Sequence, residues 1–122
     1  MILVDTSVWI DHLRRGDAEL AAALTRGEVL THSFVVGELA CGNLRNRREI
    51  LELLANLPLV PSARDAEVLR LIDSHKLMGC GIGYVDAHLL AATAIHGTAR
   101  LWTRDRPLGA IASKMKLGHG TS

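Results

Sequence analysis

Four of the chain's acidic residues stand where solvent exposure does not account for them. Asp5 follows the apolar run ILV at the end of an expected strand, and Asp105 follows LWT at the end of another. Glu38 interrupts FVVGELACG, and Asp86 interrupts GYVDAHLLAAT, both otherwise apolar helical segments. Each alone has an ordinary explanation: a strand-end turn residue, a solvent-facing position, a carboxylate complementing a helix N-terminus, a loop acid. Their joint placement points elsewhere. Sites in open α/β sheets lie beyond the carboxyl ends of the strands, where Asp5 and Asp105 fall. Glu38 and Asp86 sit near the starts of helices that follow a strand and a glycine loop. Carboxylates gathered in this way repel one another and are driven toward protonation unless a cation joins them. Mg²⁺ and Mn²⁺ prefer oxygen ligands, and such a site can activate water and hold a phosphoryl oxygen. The constellation therefore suits metal-dependent phosphodiester hydrolysis. Glycoside chemistry needs only two carboxylates at a set separation.

Hydroxyls flank two of the acids. Thr6 and Ser7 follow Asp5 directly, and Thr103 precedes Asp105 by two positions. Thr6 or Ser7 is expected to orient Asp5 or to donate to a substrate phosphate, with helix capping and strand propensity as competing roles. Of the 14 basic residues 11 are Arg, grouped at Arg14–Arg15, Arg45–Arg47–Arg48 and Arg100–Arg104–Arg106. Arginine suits bidentate phosphate contacts, and Arg104, beside Asp105, is assigned to substrate. Any single cluster also reads as solvated surface charge.

The elements that must position these groups follow from punctuation and period. ILV is a first strand, then a helix begins at Thr6 or Ser7 and runs to about Arg15. Asp17 starts a second helix, which Gly27 ends. EVLTH is a strand, and Ser33 caps a third helix, FVVGELACGNL. A fourth helix covers Arg47 to Leu57 and stops before Pro58. LVP is a strand, and the Ser-x-x-Asp pattern in SARD opens the helix AEVLRLIDSHKL. GCGIG is a turn-rich loop before an apolar helix from Tyr84 to His96, closed by Gly97. ARLWT is the last clear strand, a short helix follows Pro107, and GHGTS reads as a frayed tail. This alternation specifies an α/β fold with a mainly parallel sheet of four or five strands. Right-handed crossovers place helices on both of its faces, a three-layer α/β/α sandwich.

The 122 residues fit one domain, 1–122, with 48% hydrophobic, 22% charged and only 3% aromatic residues. No apolar run approaches the roughly 18 residues of a membrane span, and no signal-peptide pattern opens the chain, so a cytoplasmic location is expected. Cys41 and Cys80 form no CxxC motif and are expected as free buried thiols. The six histidines form no zinc-ligand pattern. Trp102 is assigned to the core, and Trp9, on the first helix, to the core or a partner surface. A net charge of +1 gives no general argument for nucleic acid.

The stretches ILVDTSVWID, SFVVGELACG, GIGYVDAHLLAAT and LWTRDRPL resemble a PIN domain, more narrowly a VapC-type toxin of the VapBC toxin–antitoxin systems. They occur in family order across nearly the whole chain. The resemblance implies a Mg²⁺- or Mn²⁺-dependent endoribonuclease. Asp5, Glu38, Asp86 and Asp105 would be the metal ligands and Thr103 a supporting residue. It also implies products with 5′-phosphate and 3′-hydroxyl, a homodimer, and neutralisation by a small antitoxin. Arg106 and Pro107 follow Asp105 where some relatives carry another acid, so the number of metals stays open.

Three other classes were weighed. A receiver-type phospho-acceptor needs an acidic pair at the first strand, which Asp5 lacks. A haloacid-dehalogenase-like phosphatase needs a second Asp at position 7, where Ser7 stands. A catalytically silent PIN-like scaffold binding RNA or protein is opposed only by retention of all four acids.

Overall fold

A computed structural model describes residues 1–120 of the chain. The elements in order are β1 (Ile2–Val4), α1 (Thr6–Arg15), α2 (Ala18–Thr25), β2 (Val29–Leu30), α3 (Ser33–Ala40), α4 (Arg47–Ala55), α5 (Asp65–Ser74), α6 (Tyr84–His96), β3 (Arg100–Trp102) and α7 (Arg106–Lys114). β1 lies at the centre of a parallel sheet ordered β2-β1-β3, with Leu3 opposite Leu30 on one side and Leu101 on the other. All three β1 residues are buried, the continuous apolar pattern of a strand covered on both faces.

The sheet has three strands among the described residues, not the four or five expected. The outer positions shrink to single parallel bridges, Thr31 with Leu59 and Leu101 with Gly118. Pro58 and Pro61 bracket Leu59, removing two backbone donors and fixing φ on either side. The ladder there consists of Thr31 N–H to Pro58 O at 2.9 Å and Val60 N–H to Thr31 O at 2.8 Å. At the other edge Gly118 and His119 are not a frayed tail, since His119 N–H bonds Leu101 O at 2.9 Å. Thr121 and Ser122 lie outside the described residues.

From β1 the chain steps outward to β2 and on to Leu59, then returns across the sheet to β3. Right-handed crossovers in those two directions put α1 to α4 on one face and α5 with α6 on the other. The packing agrees, with α1 against α3, α3 against α4, and α5 against α6. The reversal falls between β1 and β3, so the crevice of an open α/β sheet is expected just beyond their paired carboxyl ends.

Several helix starts differ from expectation in ways that matter for the site. α1 is entered from Asp5, with no side-chain cap, so neither Thr6 nor Ser7 serves as one. α3 is capped by His32, whose Nδ1 accepts the Phe34 N–H at 3.0 Å, in place of Ser33. α5 is closed by Glu67 accepting the Arg64 N–H at 2.9 Å, and the hydroxyl of Ser62 instead lies 3.4 Å from His32 Nε2. α4 ends at Ala55, two residues short of Leu57. Asp17 caps α2 through the Leu20 N–H at 2.9 Å. Trp9 is fully buried, which removes it from any partner surface, and Trp102 is in the core. Cys41 and Cys80 are free but exposed rather than buried, each on a turn beyond a helix end.

Candidate functional site

Backbone pairing brings the ends of β1 and β3 side by side, since the Asp5 N–H donates to Trp102 O at 2.9 Å. The two residues that follow Trp102 then fall against Asp5 and Ser7. Thr103 Oγ1 donates to Asp5 Oδ2 at 2.8 Å, and Ser7 Oγ donates to the same oxygen at 2.7 Å. Each hydroxyl also accepts a backbone N–H: Asp105 onto Thr103 at 3.1 Å, and Arg104 onto Ser7 at 3.0 Å. Asp5 is only 6% exposed, so these donors supply the solvation that burial removes.

The other acids approach from helices. Glu38, on α3, accepts from Thr6 Oγ1 at 2.7 Å, so Thr6 ties α3 to the start of α1. Asp105 caps α7 through the Leu108 N–H at 3.1 Å, with Pro107 in the first turn. Asp86 folds back on its own helix start and accepts the Gly83 N–H at 3.2 Å. Burial pushes the Asp86 carboxyl above the ordinary aspartate range, and the negative charges of Asp5, Asp105 and Glu38 push it further, against the Gly83 hydrogen bond. Asp5, Asp105 and Glu38 thus all stand near enough to Asp86 for their charge to act on it.

The donor set is all oxygen. Among the described residues, hydrogen bonds reach one oxygen of each acid: Oδ2 of Asp5, Oε1 of Glu38, Oδ2 of Asp86 and Oδ2 of Asp105. The second oxygen of each has no protein donor, which leaves four hard anionic acceptors for a cation such as Mg²⁺ or Mn²⁺. No three His, Cys, Asp or Glu side chains among the described residues stand close enough to form a ready-made cage. The donor chemistry fits a cation that keeps several waters in its own shell and takes only one or two carboxylates directly.

Arg104 is placed differently from a phosphate ligand. Its guanidinium donates to Asp11 Oδ2 at 2.7 Å and to Asp17 Oδ2, while its carbon stands 5.7 Å from the Trp102 ring centroid. Its hydrogen bond holds the Asp11 carboxyl below the ordinary range, and Asp17 is held low by the Leu20 N–H and then by Arg104. Asp11 and Asp17 join the site's support without any local signal in the sequence. A second group that sequence reasoning missed is His88, 3% exposed, whose Nε2 lies 3.1 Å from Asp65 Oδ1. Its apolar helix gives the only hint of that burial. A groove of about 480 Å³, lined by residues such as Ile10, Leu13, Leu44 and Ile50, contains none of the four acids.

Comparison with known proteins gives three results. The family model described as PIN domain matches residues 2–114. Ribonuclease VapC32 of Mycobacterium tuberculosis, in strains CDC 1551 / Oshkosh and ATCC 25618 / H37Rv, is 50% identical over 114 residues, covering 93% of this chain and 92% of that protein. A solved structure of FitAB bound to an IR36 DNA fragment superposes with a TM-score of 0.65 at 22% identity, over 93% of this chain and 91% of that one, a likeness of fold.

Proposed function

The chain belongs to the PIN-domain family, and from that premise we propose that it is the toxin of a type II toxin–antitoxin pair, an endoribonuclease dependent on Mg²⁺ or Mn²⁺. The observation that carries the reading is the hydrogen-bonded set of acids at the ends of β1 and β3: Thr103 links Asp5 to Asp105, and Thr6 ties Glu38 to the start of α1. In this reading those four acids hold the cation. When bound, it supplies positive charge at a phosphate oxygen and makes water more acidic.

The chain's own groups set the geometry. Ser7 and Thr103 fix the rotamer of Asp5 by donating to a single oxygen. Thr6 fixes Glu38, and Gly83 fixes Asp86. Acceptors fixed in this way would hold a cation with little rearrangement, and the cation would meet the negative charge that develops on the phosphate. Water attacks phosphorus, the bond to O3′ breaks, and O3′ takes up a proton, leaving a 5′-phosphate and a 3′-hydroxyl. Thr6 and Ser7 give their hydroxyl protons to Glu38 and Asp5, so in this reading they orient those acids beside the substrate phosphate, and Arg104 acts through its backbone N–H on Ser7.

The same reading makes RNA the substrate, a small antitoxin protein the neutralising partner, a homodimer the assembled form, and the cytoplasm the place of action. No helix among the described residues is long and apolar enough to cross a membrane. It also treats residues 1–122 as a single PIN domain. The test is incubation of total bacterial RNA with purified protein and Mn²⁺ or Mg²⁺, beside EDTA and an Asp86→Asn variant. Discrete cuts that vanish in both controls are expected. Cutting that survives in Asp86→Asn would remove the site assignment. No cutting together with no Mn²⁺ binding by calorimetry would leave the silent scaffold as the better reading.

A further inference from the structure

The chain has two tryptophans, one phenylalanine and one tyrosine. Both tryptophans are buried, whereas Phe34 and Tyr84 are 38% and 44% exposed. Those two residues are 50 positions apart in sequence, yet both pack on the same buried ring. The His88 centroid is 4.8 Å from that of Phe34 and 4.7 Å from that of Tyr84, with steep interplanar angles of 69° and 87°. We propose that Phe34 and Tyr84 form a stacking platform for an unpaired RNA base next to the carboxylate site. This rests on the ribonuclease reading above.

Three observations carry it. The first is location. Phe34 precedes Glu38 by one helical turn on α3, and Tyr84 opens α6, whose third residue is Asp86. Residues four apart on a helix share a face, so Phe34 lies beside Glu38. The platform and two of the four acids are thus carried by the same two helices.

The second is preorganisation. The Tyr84 hydroxyl donates to Asp65 Oδ1 at 2.6 Å, and the Phe34 ring packs against the rings of His32 and His88, with centroids 5.1 and 4.8 Å away. A ring fixed before binding loses little freedom when a base covers it.

The third is charge. Net charge is +1, and many of the arginines are committed to acids: Arg104 to Asp11 and Asp17, Arg64 to Glu67, Arg48 to Glu52, Arg26 to Glu28. These pairings reduce the number of arginines free for phosphate neutralisation, the usual source of affinity for nucleic acid. Stacking on aromatic faces is the other general source, and it is the one this surface offers.

The test uses wild-type protein in EDTA with short fluorescein-labelled single-stranded oligoribonucleotides, read by anisotropy, alongside a set in which single bases are replaced by abasic sites. Tyr84→Ala and Phe34→Leu are each expected to weaken binding about tenfold. In wild type, one or two abasic positions cause a loss of similar size, and in the variants that loss disappears. Tyr84→Phe and Phe34→Trp keep a ring and keep the affinity, which separates stacking from a folding defect. The proposal is overturned if the variants bind RNA like wild type, in which case the surface belongs to a protein contact. It is equally overturned if no abasic position costs wild type anything. Total-RNA cleavage with Mn²⁺ is scored separately. Cleavage by wild type with no abasic effect sinks the platform alone, and absence of both cleavage and Mn²⁺ binding sinks the ribonuclease reading while the abasic set still scores the platform.

Discussion

Thr103 Oγ1 donates to Asp5 Oδ2 at 2.8 Å, joining residues 98 positions apart. The same hydroxyl accepts the Asp105 N–H at 3.1 Å. One side chain therefore couples the acid at the end of β1 to the acid at the start of α7. Ser7 repeats the arrangement from the other side, donating to Asp5 and accepting from Arg104. The pair makes the β1–β3 crevice a hydrogen-bonded unit and not just a gathering of charges.

Thr103→Val keeps the shape and removes the hydroxyl. It leaves a buried carboxylate oxygen with one donor fewer and a backbone N–H without its acceptor. Unfolding in urea should show a loss of about 1–3 kcal/mol. Mn²⁺-dependent RNA cleavage should fall about tenfold as Asp5 and Asp105 lose their common support. Thr103→Ser should restore both. A Val variant as stable and active as wild type would show that the bridge does nothing.

Arg104→Met tests whether the guanidinium meets RNA or holds the loop. Its ties to Asp11 and Asp17 predict a loss in kcat of about tenfold with KM little changed, because Thr103 and Asp105 flank it in the chain. A rise in KM at constant kcat would mean that the side chain leaves those acids to bind substrate phosphate.

How much of this was readable beforehand depended on whether a residue broke its local pattern. Asp5, Glu38, Asp86 and Asp105 were conspicuous because each interrupts or ends an apolar segment. α6 was bounded at Tyr84–His96 by glycines on either side, and the structure has those bounds. The pairing of Arg104 was invisible for the opposite reason. Its partners Asp11 and Asp17 lie on another part of the chain, and no spacing links them. The cap on α3 went to His32 because its ring is buried and has an acceptor nitrogen aimed at Phe34 N–H, a choice made by packing. The outer strands were overcounted because an apolar run such as LVP satisfies the strand pattern, whereas its prolines limit it to one bridge.

Asp86→Asn should stabilise the metal-free protein. The folded-state pKa of Asp86 is raised by burial and by the neighbouring acids. Its contribution is therefore favourable below the ordinary aspartate range and is lost as pH rises through the folded value. At neutral pH the ionised group opposes folding. Calorimetry in EDTA should show the Asn variant melting about 1–4 °C higher, the shift expected from a fraction of a kcal/mol. Adding Mn²⁺ should then raise the melting temperature of wild type more than that of the variant. A lower melting point for Asp86→Asn in EDTA would mean that its bond to Gly83 matters more than the repulsion.

His32 gives the fold an acid-sensitive component of its own. Burial holds its pKa below the ordinary 6.5, and the charge of His88 lowers it further. The neutral ring is required for the cap on Phe34. A depressed histidine pKa means full stability above about 6.5 and progressive loss as pH falls toward the folded value. Urea midpoints should decline through that interval in wild type. His32→Asn retains an acceptor suited to a helix N-cap and should flatten the decline, whatever its effect at neutral pH. An unchanged slope would assign the acid sensitivity to other groups.

The span bridged by Thr103 also has a meaning in time. At about 5–20 residues per second, the 98 positions from Asp5 to Thr103 separate their synthesis by roughly 5–20 s. Throughout that interval a growing chain carries Asp5, then Glu38, then Asp86, without the strand and hydroxyl that draw the first of them into place. A ribosome making this protein is thus working beside an unassembled centre, and the crevice closes only when one of the last elements to be translated, β3, has paired with the first.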